Sequence, residues 1–258
     1  MHQTFERAFL DAHGKVAVIT LNHDASVNAL SSAMVESLKA ALDAVEKGGF
    51  RALVLTGAGR GFCSGADMKE LPTRRAEGAG LVLERVFHPL FRRLRDLPAP
   101  IVTAVNGAAV GIGMSLALMG DLTVAARSSY FLLSFTRIGL VPDGGATFLL
   151  PRLIGLARAR ELALLAEKLP AERAHVWGLI NRVVDDAQLM EEALSLAQRL
   201  ADGPAALPHT RRLFWDEKGY EAQLAREAAA QERAGATVDF AEGLLAFQEK
   251  REPKFSGI

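Results

Sequence analysis

The sequence predicts an α/β fold of buried strands and covering helices, with a helical piece at its C-terminal end. Three observations carry that prediction. Aliphatic and β-branched runs recur through the first 190 residues, and several lead through a glycine-rich turn into a segment of helical periodicity. These runs are continuous rather than alternating, the pattern of strands covered on both faces. Beyond Asp185 apolar residues recur only at helical spacing. The 258 residues, half of them hydrophobic, are enough for one large core. The strand–turn–helix units keep no fixed period, which argues against a solenoid.

In order along the chain, Lys15 to Leu21 is the first strand. Asn22 to Asn28 is a polar turn. Ser31 or Ser32 then caps a helix with Met34, Leu38, Leu42 and Val45 on one face, stopped by Gly48-Gly49. Arg51 to Thr56 is a second strand. The glycine-rich loop Gly57 to Gly65 runs into a helix start at Ala66 to Leu71, and Arg74 to Gly80 reads as a mobile loop. Leu81 to Leu97 is an amphipathic helix. Ile101 to Val105 is a strand, Gly107 to Gly113 a tight turn, and Met114, Leu116, Leu118 and Met119 lead out as a helix. Asp121 to Arg127 is another strand, and Gly139 to Thr147 is the third glycine turn, ended by Phe148 to Pro151. Ala157 to Leu165 and Pro170 to Trp177 are helices, and Leu179 to Val184 is a short strand. Helices then cover Gln188 to Leu200, Thr210 to Glu217, Glu221 to Ala234 and Val238 to Lys250.

Composition excludes several classes. Charge balances at 30 basic against 30 acidic side chains, so neither nucleic acid nor a membrane surface is indicated as partner. The single cysteine, Cys63, cannot close an internal disulfide, which suits a cytoplasmic protein. The N-terminal residues lack the cationic start and apolar run of a secretory signal. Ile101 to Gly120 is uncharged and long enough to cross a bilayer, but four glycines and Asn106 interrupt it; a buried strand and helix account for it better. The six histidines show no metal-ligand spacing, so no metal is expected.

The chemistry is expected at the glycine turns. In Gly107 to Gly113 the missing Cβ atoms permit positive φ and close approach to a ligand. The helix that follows starts with N–H groups that have no intrahelical partner, at the positive end of its dipole. Such a turn can hold an oxyanion, or it can simply pack a strand tightly on a helix.

Taken together the motifs resemble the crotonase (enoyl-CoA hydratase/isomerase) superfamily over nearly the whole chain. Leu21-Asn22 through Asn28-Ala29-Leu30 resembles its first signature, Gly59 through Asp67 its second, and Val105-Asn106-Gly107 through Gly113 its third. Phe247 to Phe255 is similar to its ending. Each alone is weak, but their order and spacing together are specific. The resemblance implies a ClpP-like spiral of ββα repeats over residues 1–190 and a helical trimerisation region over 191–258, hence a homotrimer or a dimer of trimers. It implies an acyl-CoA thioester substrate, with coenzyme A entering as part of that substrate and no separate cofactor. It also implies an oxyanion hole of two backbone N–H groups, which by motif position are those of Ala66 and Ile112. Most relatives carry glycine where Ile112 stands; the N–H survives that change, while the side chain can narrow the pocket. Ala29, Gly65, Asp67, Met68, Gly111, Ser115, Phe135 and Lys250 are the positions implied to meet substrate. Lys250, with Arg251 and Lys254, either reaches the CoA phosphates or is a solvated tail charge.

Hydratases of the superfamily use two glutamates, one to activate water and one to deliver a proton. Here those positions hold Ser115 and Phe135, neither a base at neutral pH. What remains is Asp143, in Leu140-Val141-Pro142-Asp143-Gly144-Gly145, at the turn where several isomerases of the superfamily place an aspartate. Glu84 to Leu90, Gly139 to Gly145 and Ala174 to Ile180 are similar to the ring-1,2-epoxyphenylacetyl-CoA isomerases of phenylacetate degradation. One aspartate suits a reaction that moves a proton between two carbons while an enolate is held, as in ketosteroid isomerase. An apolar surround of Phe131, Leu132, Phe135 and Phe148 would raise its pKa.

Three functions stay open. The first is an acyl-CoA isomerase that shifts a double bond or rearranges a ring, with Asp143 as proton shuttle. The second is an enoyl-CoA hydratase in which Asp143 works with water held by Ser115. The third is an acyl-CoA binder without catalysis. Other residues have plainer readings: Asp143 as a turn former, Asp67 as a cap, and Cys63 and His88 as packed or surface groups. Trp177 and Trp215 read as core or interface anchors.

Overall fold

Strands that are apolar on both faces need cover on both sides, and the topology supplies it. The computed structural model describes residues 2–70, 77–215 and 217–256. It begins with an antiparallel meander of β1 (His2–Thr4), β2 (Ala8–His13) and β3 (Val16–Leu21). Then comes α1 (Ser32–Lys47), capped by the Ser31 hydroxyl, which accepts from Met34 N at 3.1 Å. β4 (Ala52–Gly57) pairs in parallel with β3, and the chain passes at once into β5 (Gly61–Cys63) of a second sheet. α2 (Ala79–Val82) continues through a π-helical turn, Leu83–Phe87, into α3 (His88–Asp96).

That unit of two strands and a helix recurs. β6 (Ile101–Val105) joins β4, β7 (Ala108–Val110) joins β5, and α4 (Ile112–Ala117) follows. β8 (Leu122–Ala126) joins β6, β9 (Tyr130–Leu132) joins β7, and α5 (Ala146–Leu165) follows, broken at Gly155 where φ is +77°. β10 (Leu169–Pro170), α6 (Ala171–Trp177) and β11 (Arg182–Val184) complete two sheets. One has seven strands in the order β1-β2-β3-β4-β6-β8-β11, the other four in the order β10-β9-β7-β5. Each repeat steps one strand along both sheets, which makes the chain a spiral.

The helices beyond residue 190 pack on this spiral. α7 (Leu189–Ala201) covers one face of the large sheet, setting Ala193, Leu196 and Ala197 against Val18, Val54, Val102 and Val124. α8 (Leu207–Leu213) is pinned by the buried Arg211. Its guanidinium donates to the carbonyls of Leu94, Arg95 and Leu97 and to Asp121 Oδ2. α9 (Glu217–Gly235) buries Tyr220 and Leu224 against Phe148, and α10 (Val238–Glu249) buries Phe240.

Several segments differ from the sequence prediction. The glycine-rich stretches 57–65 and 107–113 each contain a short strand, β5 and β7, and residues 2–13 form paired strands. α5 starts at Ala146, directly after the left-handed Gly145, rather than at Ala157. The helix predicted from Thr210 lies at Leu207–Leu213. Residues 68–70 form a turn; the rest of the predicted helix start, at Leu71, and Arg74 to Ala76 of the predicted loop lie outside the described residues. The uncharged stretch 101–120 is β6, β7 and α4, and no described helix is long and apolar enough to cross a membrane.

Candidate active site

A buried amide assembles the first donor turn. Asn28 is fully buried, with φ at +58°. Its Oδ1 accepts from His23 N at 2.8 Å, and its Nδ2 donates to the carbonyls of Ala58 (2.9 Å) and Gly61 (2.8 Å). The loop before α1 is thereby tied to the loop after β4. Leu30 and Ala66 then pair as an isolated parallel bridge, in which Leu30 N donates to Gly65 O at 2.7 Å and Asp67 N to Leu30 O at 3.4 Å. In a parallel bridge made this way, the N–H of the residue between the two bonded neighbours points to the opposite side. The Ala66 N–H is therefore turned away from Leu30, and it has no hydrogen-bond partner among the described residues.

The second turn is presented by Gly111, with φ +55° and ψ −129°, at the start of α4. Gly111 N donates to Leu132 O at 2.8 Å. Ile112 is the first residue of the helix, so its N–H has no intrahelical acceptor. The two turns touch. A Cβ on Gly65, where φ is +101°, would lie 2.9 Å from the Val110 carbonyl, and one on Gly111 would lie 4.0 Å from Gly65 Cα. At Gly65 only glycine allows that approach. Gly65, Ala66, Gly111 and Ile112 line one cavity of about 90 Å³, whose apolar walls include Leu83, Phe87, Phe135 and Phe240.

Asp143 lines the same cavity and is 5% exposed. Its backbone carbonyl accepts from Ser115 Oγ at 2.8 Å, which fixes the turn. Carboxyl Oδ2 accepts from Gln231 Nε2 at 3.1 Å, and Oδ1 is buried with no partner among the described residues. Glu227, one turn before Gln231 on α9, accepts from Gly145 N (2.8 Å), Thr147 N (3.1 Å) and Thr147 Oγ1 (2.5 Å). Burial pushes the Asp143 carboxyl well above the ordinary carboxylate range. The Glu227 charge adds to that rise and the Gln231 bond opposes it. Burial likewise lifts Glu227 to about 6, against the bonds from Thr147 and Gly145. A buried, unpaired and unusually basic oxygen, sharing a cavity with two unpaired N–H groups, can move a proton while an oxyanion is held.

Of the positions singled out in the sequence, Gly65, Ala66, Met68, Gly111, Ile112, Phe135 and Asp143 line this cavity. Four do not. Ala29 N donates to Ser26 Oγ at 3.2 Å, beside the bridge. Asp67 Oδ1 accepts from Lys69 N at 2.9 Å, so that carboxylate caps its own turn. Ser115 is fully buried and its hydroxyl donates to the Asp143 carbonyl, so it supports the aspartate turn. Lys250 ends α10 with φ +54° and is exposed. Of the apolar surround predicted for Asp143, Phe135 reaches the cavity wall, while Phe131, Leu132 and Phe148 are buried outside it.

Cys63 is buried, its thiol pushed up to about 12 by desolvation, and it packs under Gly113. His88 is fully buried with neither ring nitrogen partnered among the described residues. Burial, and then the Arg92 charge, hold its pKa at about 4, with Glu221 opposing. Gln231 and Glu227 are absent from the sequence reading, because a glutamine and a glutamate four apart on a polar helix look like a solvated face.

The chain matches the enoyl-CoA hydratase/isomerase family over residues 11–257, and it belongs to that family. It is 44% identical over 249 residues to the 1,2-epoxyphenylacetyl-CoA isomerase of Escherichia coli K12, covering 94% of this chain and 95% of the relative. A probable enoyl-CoA hydratase of Rhodobacter capsulatus is 45% identical over 247 residues, with the same shares covered. An enoyl-CoA hydratase structure from Mycobacterium avium subsp. paratuberculosis K-10 has a TM-score of 0.85 at 32% identity. That match covers 98% of this chain and 100% of the other. The spiral is thus the crotonase fold.

Proposed function

We propose that the protein is an acyl-CoA isomerase that moves a proton between two carbons of a β,γ-unsaturated thioester, in a chain or a ring, through an enolate. One observation carries this: Asp143 is the only carboxylate lining the cavity among the described residues, and its Oδ1 is unpaired. Hydration needs one group to activate water and another to deliver a proton, whereas isomerisation returns the same proton to a different carbon. The Ser115 hydroxyl, the candidate water holder of the hydratase reading, is used on the Asp143 carbonyl.

In the proposed step the thioester oxygen accepts from Ala66 N–H and Ile112 N–H. Ionised Asp143 Oδ1 takes a proton from the α-carbon, and the electron pair spreads through the carbonyl into the former double bond. Protonated Asp143 then returns the proton to the γ-carbon, leaving a 2-enoyl thioester. Each N–H donor contributes about 10²–10³ in rate. A thioester derived from phenylacetate is the substrate we favour. The 44% identity to the E. coli isomerase supports that choice, and so do the aromatic walls of Phe87, Phe135 and Phe240.

We further propose a cytoplasmic homotrimer or dimer of trimers. The buried free thiol of Cys63 suits a reducing compartment. Leu213 and Phe214, 86% and 87% exposed at the end of α8, supply apolar surface for another subunit to cover. Lys250, exposed at the end of α10, would meet CoA phosphates. The test is the absorbance of the conjugated thioester. An isomerase raises it from 3-enoyl-CoA or from a ring-modified phenylacetyl-CoA, and a hydratase lowers it from 2-enoyl-CoA. A protein that binds these esters and changes none of them is a binder, and the proposal fails.

A further inference from the structure

Asp143 sits on a loop, yet its carboxyl is held from a helix 88 residues away. Gln231 carries one amide acceptor and two amide donors. Val141 N can only donate, so Gln231 must turn Oε1 toward it (3.0 Å), which leaves Nε2 to donate to Asp143 Oδ2 (3.1 Å). The amide cannot flip without setting donor against donor. One turn earlier Glu227 takes the N–H groups of Gly145 and Thr147, and one turn earlier again Gln223 donates to Thr147 Oγ1. This stripe on α9 therefore grips the whole Val141 to Thr147 turn. The same helix holds the opposite wall, where Glu232 Oε2 accepts from Gly80 N at 2.8 Å.

We propose that Gln231 and Glu227 are positioning residues for Asp143. Gln231 fixes Oδ2 so that Oδ1 alone exchanges the proton with substrate, and Glu227 sets the readiness of that oxygen by holding a second negative charge behind the same turn. The inference deepens the isomerase reading and rests on it. The elements packed around Asp143 face it with Ser115 of α4, Leu83 and Phe87 of the π turn, Phe135, and Phe240 of α10. Among these and the α9 pair, only Glu227 ionises. The Gln231 bond favours the charged carboxylate, and the Glu227 charge opposes it.

The experiment follows Asp143 ionisation directly, by infrared difference spectra between each protein and its Asp143→Asn counterpart across pH. Gln231→Met should move the midpoint up by about one unit, through loss of a bond to the charged form. Glu227→Gln should move it down by about one unit. Turnover of Gln231→Met on 3-enoyl-CoA should fall about tenfold in kcat with little change in KM. Gln231→Glu, of unchanged size, adds a carboxylate and should raise the midpoint further than Met, so the test stands even if Glu227→Gln does not fold. Midpoints within about 0.3 unit of wild type in folded variants would overturn the proposal, as would a downward shift in either Gln231 variant. The infrared midpoint needs no turnover, so failure of the isomerase reading, seen as a fully active Asp143→Asn, is distinguishable from failure of this one.

Discussion

Replacing Asp143 by asparagine should separate activity from stability. Asparagine keeps the size, and its carbonyl can accept from Gln231 Nε2 as Oδ2 does. What disappears is the unpaired oxygen that takes the proton, and loss of a general base costs about 10²–10⁴ in kcat. Stability should move the other way. Above about pH 4 the unfolded aspartate is ionised, while burial, and then the Glu227 charge, raise the pKa of the folded carboxyl. The folded state then holds more protons, so stability falls as pH rises from the unfolded pKa to the raised folded one. Asparagine carries no such penalty. Its amide N–H groups lack an acceptor where Oδ1 stood, which returns about 1 kcal/mol. The variant should be more stable than wild type at pH 8, with the gain shrinking toward pH 4. Calorimetry at pH 4.5 and 8, run beside turnover assays, measures both. A loss of activity under about tenfold, or a variant less stable than wild type at pH 8, would refute the assignment.

Other perturbations test separate parts of the structure. Gly111→Ala, at φ +55°, forces a side chain into a strained turn and should tilt the Ile112 N–H, lowering kcat about 10²–10³-fold; unchanged kcat would remove that donor from the mechanism. His88→Leu should flatten the acid side of the stability curve. The unfolded histidine takes a proton below about pH 6.5. The folded ring does so only near 4, so wild type loses stability as pH falls through that window. Urea midpoints should show wild type losing about 1–2 kcal/mol between pH 7 and 5 and the Leu variant much less; equal losses would contradict the orphaned ring. Arg211→Met leaves Asp121 and the carbonyls of Leu94, Arg95 and Leu97 without their donor. It should cost about 3–5 kcal/mol in thermal melts, and a shift below about 2 °C would contradict the pinning role of α8.

The repeating frame was legible because its signals are local. The β3, β4, β6 and β8 runs are continuous and apolar, and Ser31 caps α1 as its position suggests. The second sheet was not. β5 and β7 are three residues each and lie within glycine-rich stretches, so their pairing is decided by tertiary contact rather than propensity. The two glycine turns could be placed from motif spacing, and the Asp143 turn from its Pro-Asp-Gly chemistry. What holds Asp143 could not, because Gln231 meets it across 88 residues and carries no periodicity of its own. Ser115 shows the converse: its place beside the third motif suggested a role toward substrate, while its rotamer turns the hydroxyl to the Asp143 carbonyl.

If Asp143 abstracts an α-proton while Ala66 and Ile112 hold the enolate, a thioester that cannot isomerise should still exchange its α-protons. Phenylacetyl-CoA is such a thioester: it has α-protons, and its aromatic double bonds do not migrate. In D₂O, wild type should exchange those protons, seen as loss of the α-methylene NMR signal, and Asp143→Asn should not. No exchange by wild type, or equal exchange by both proteins, would contradict that role for Asp143.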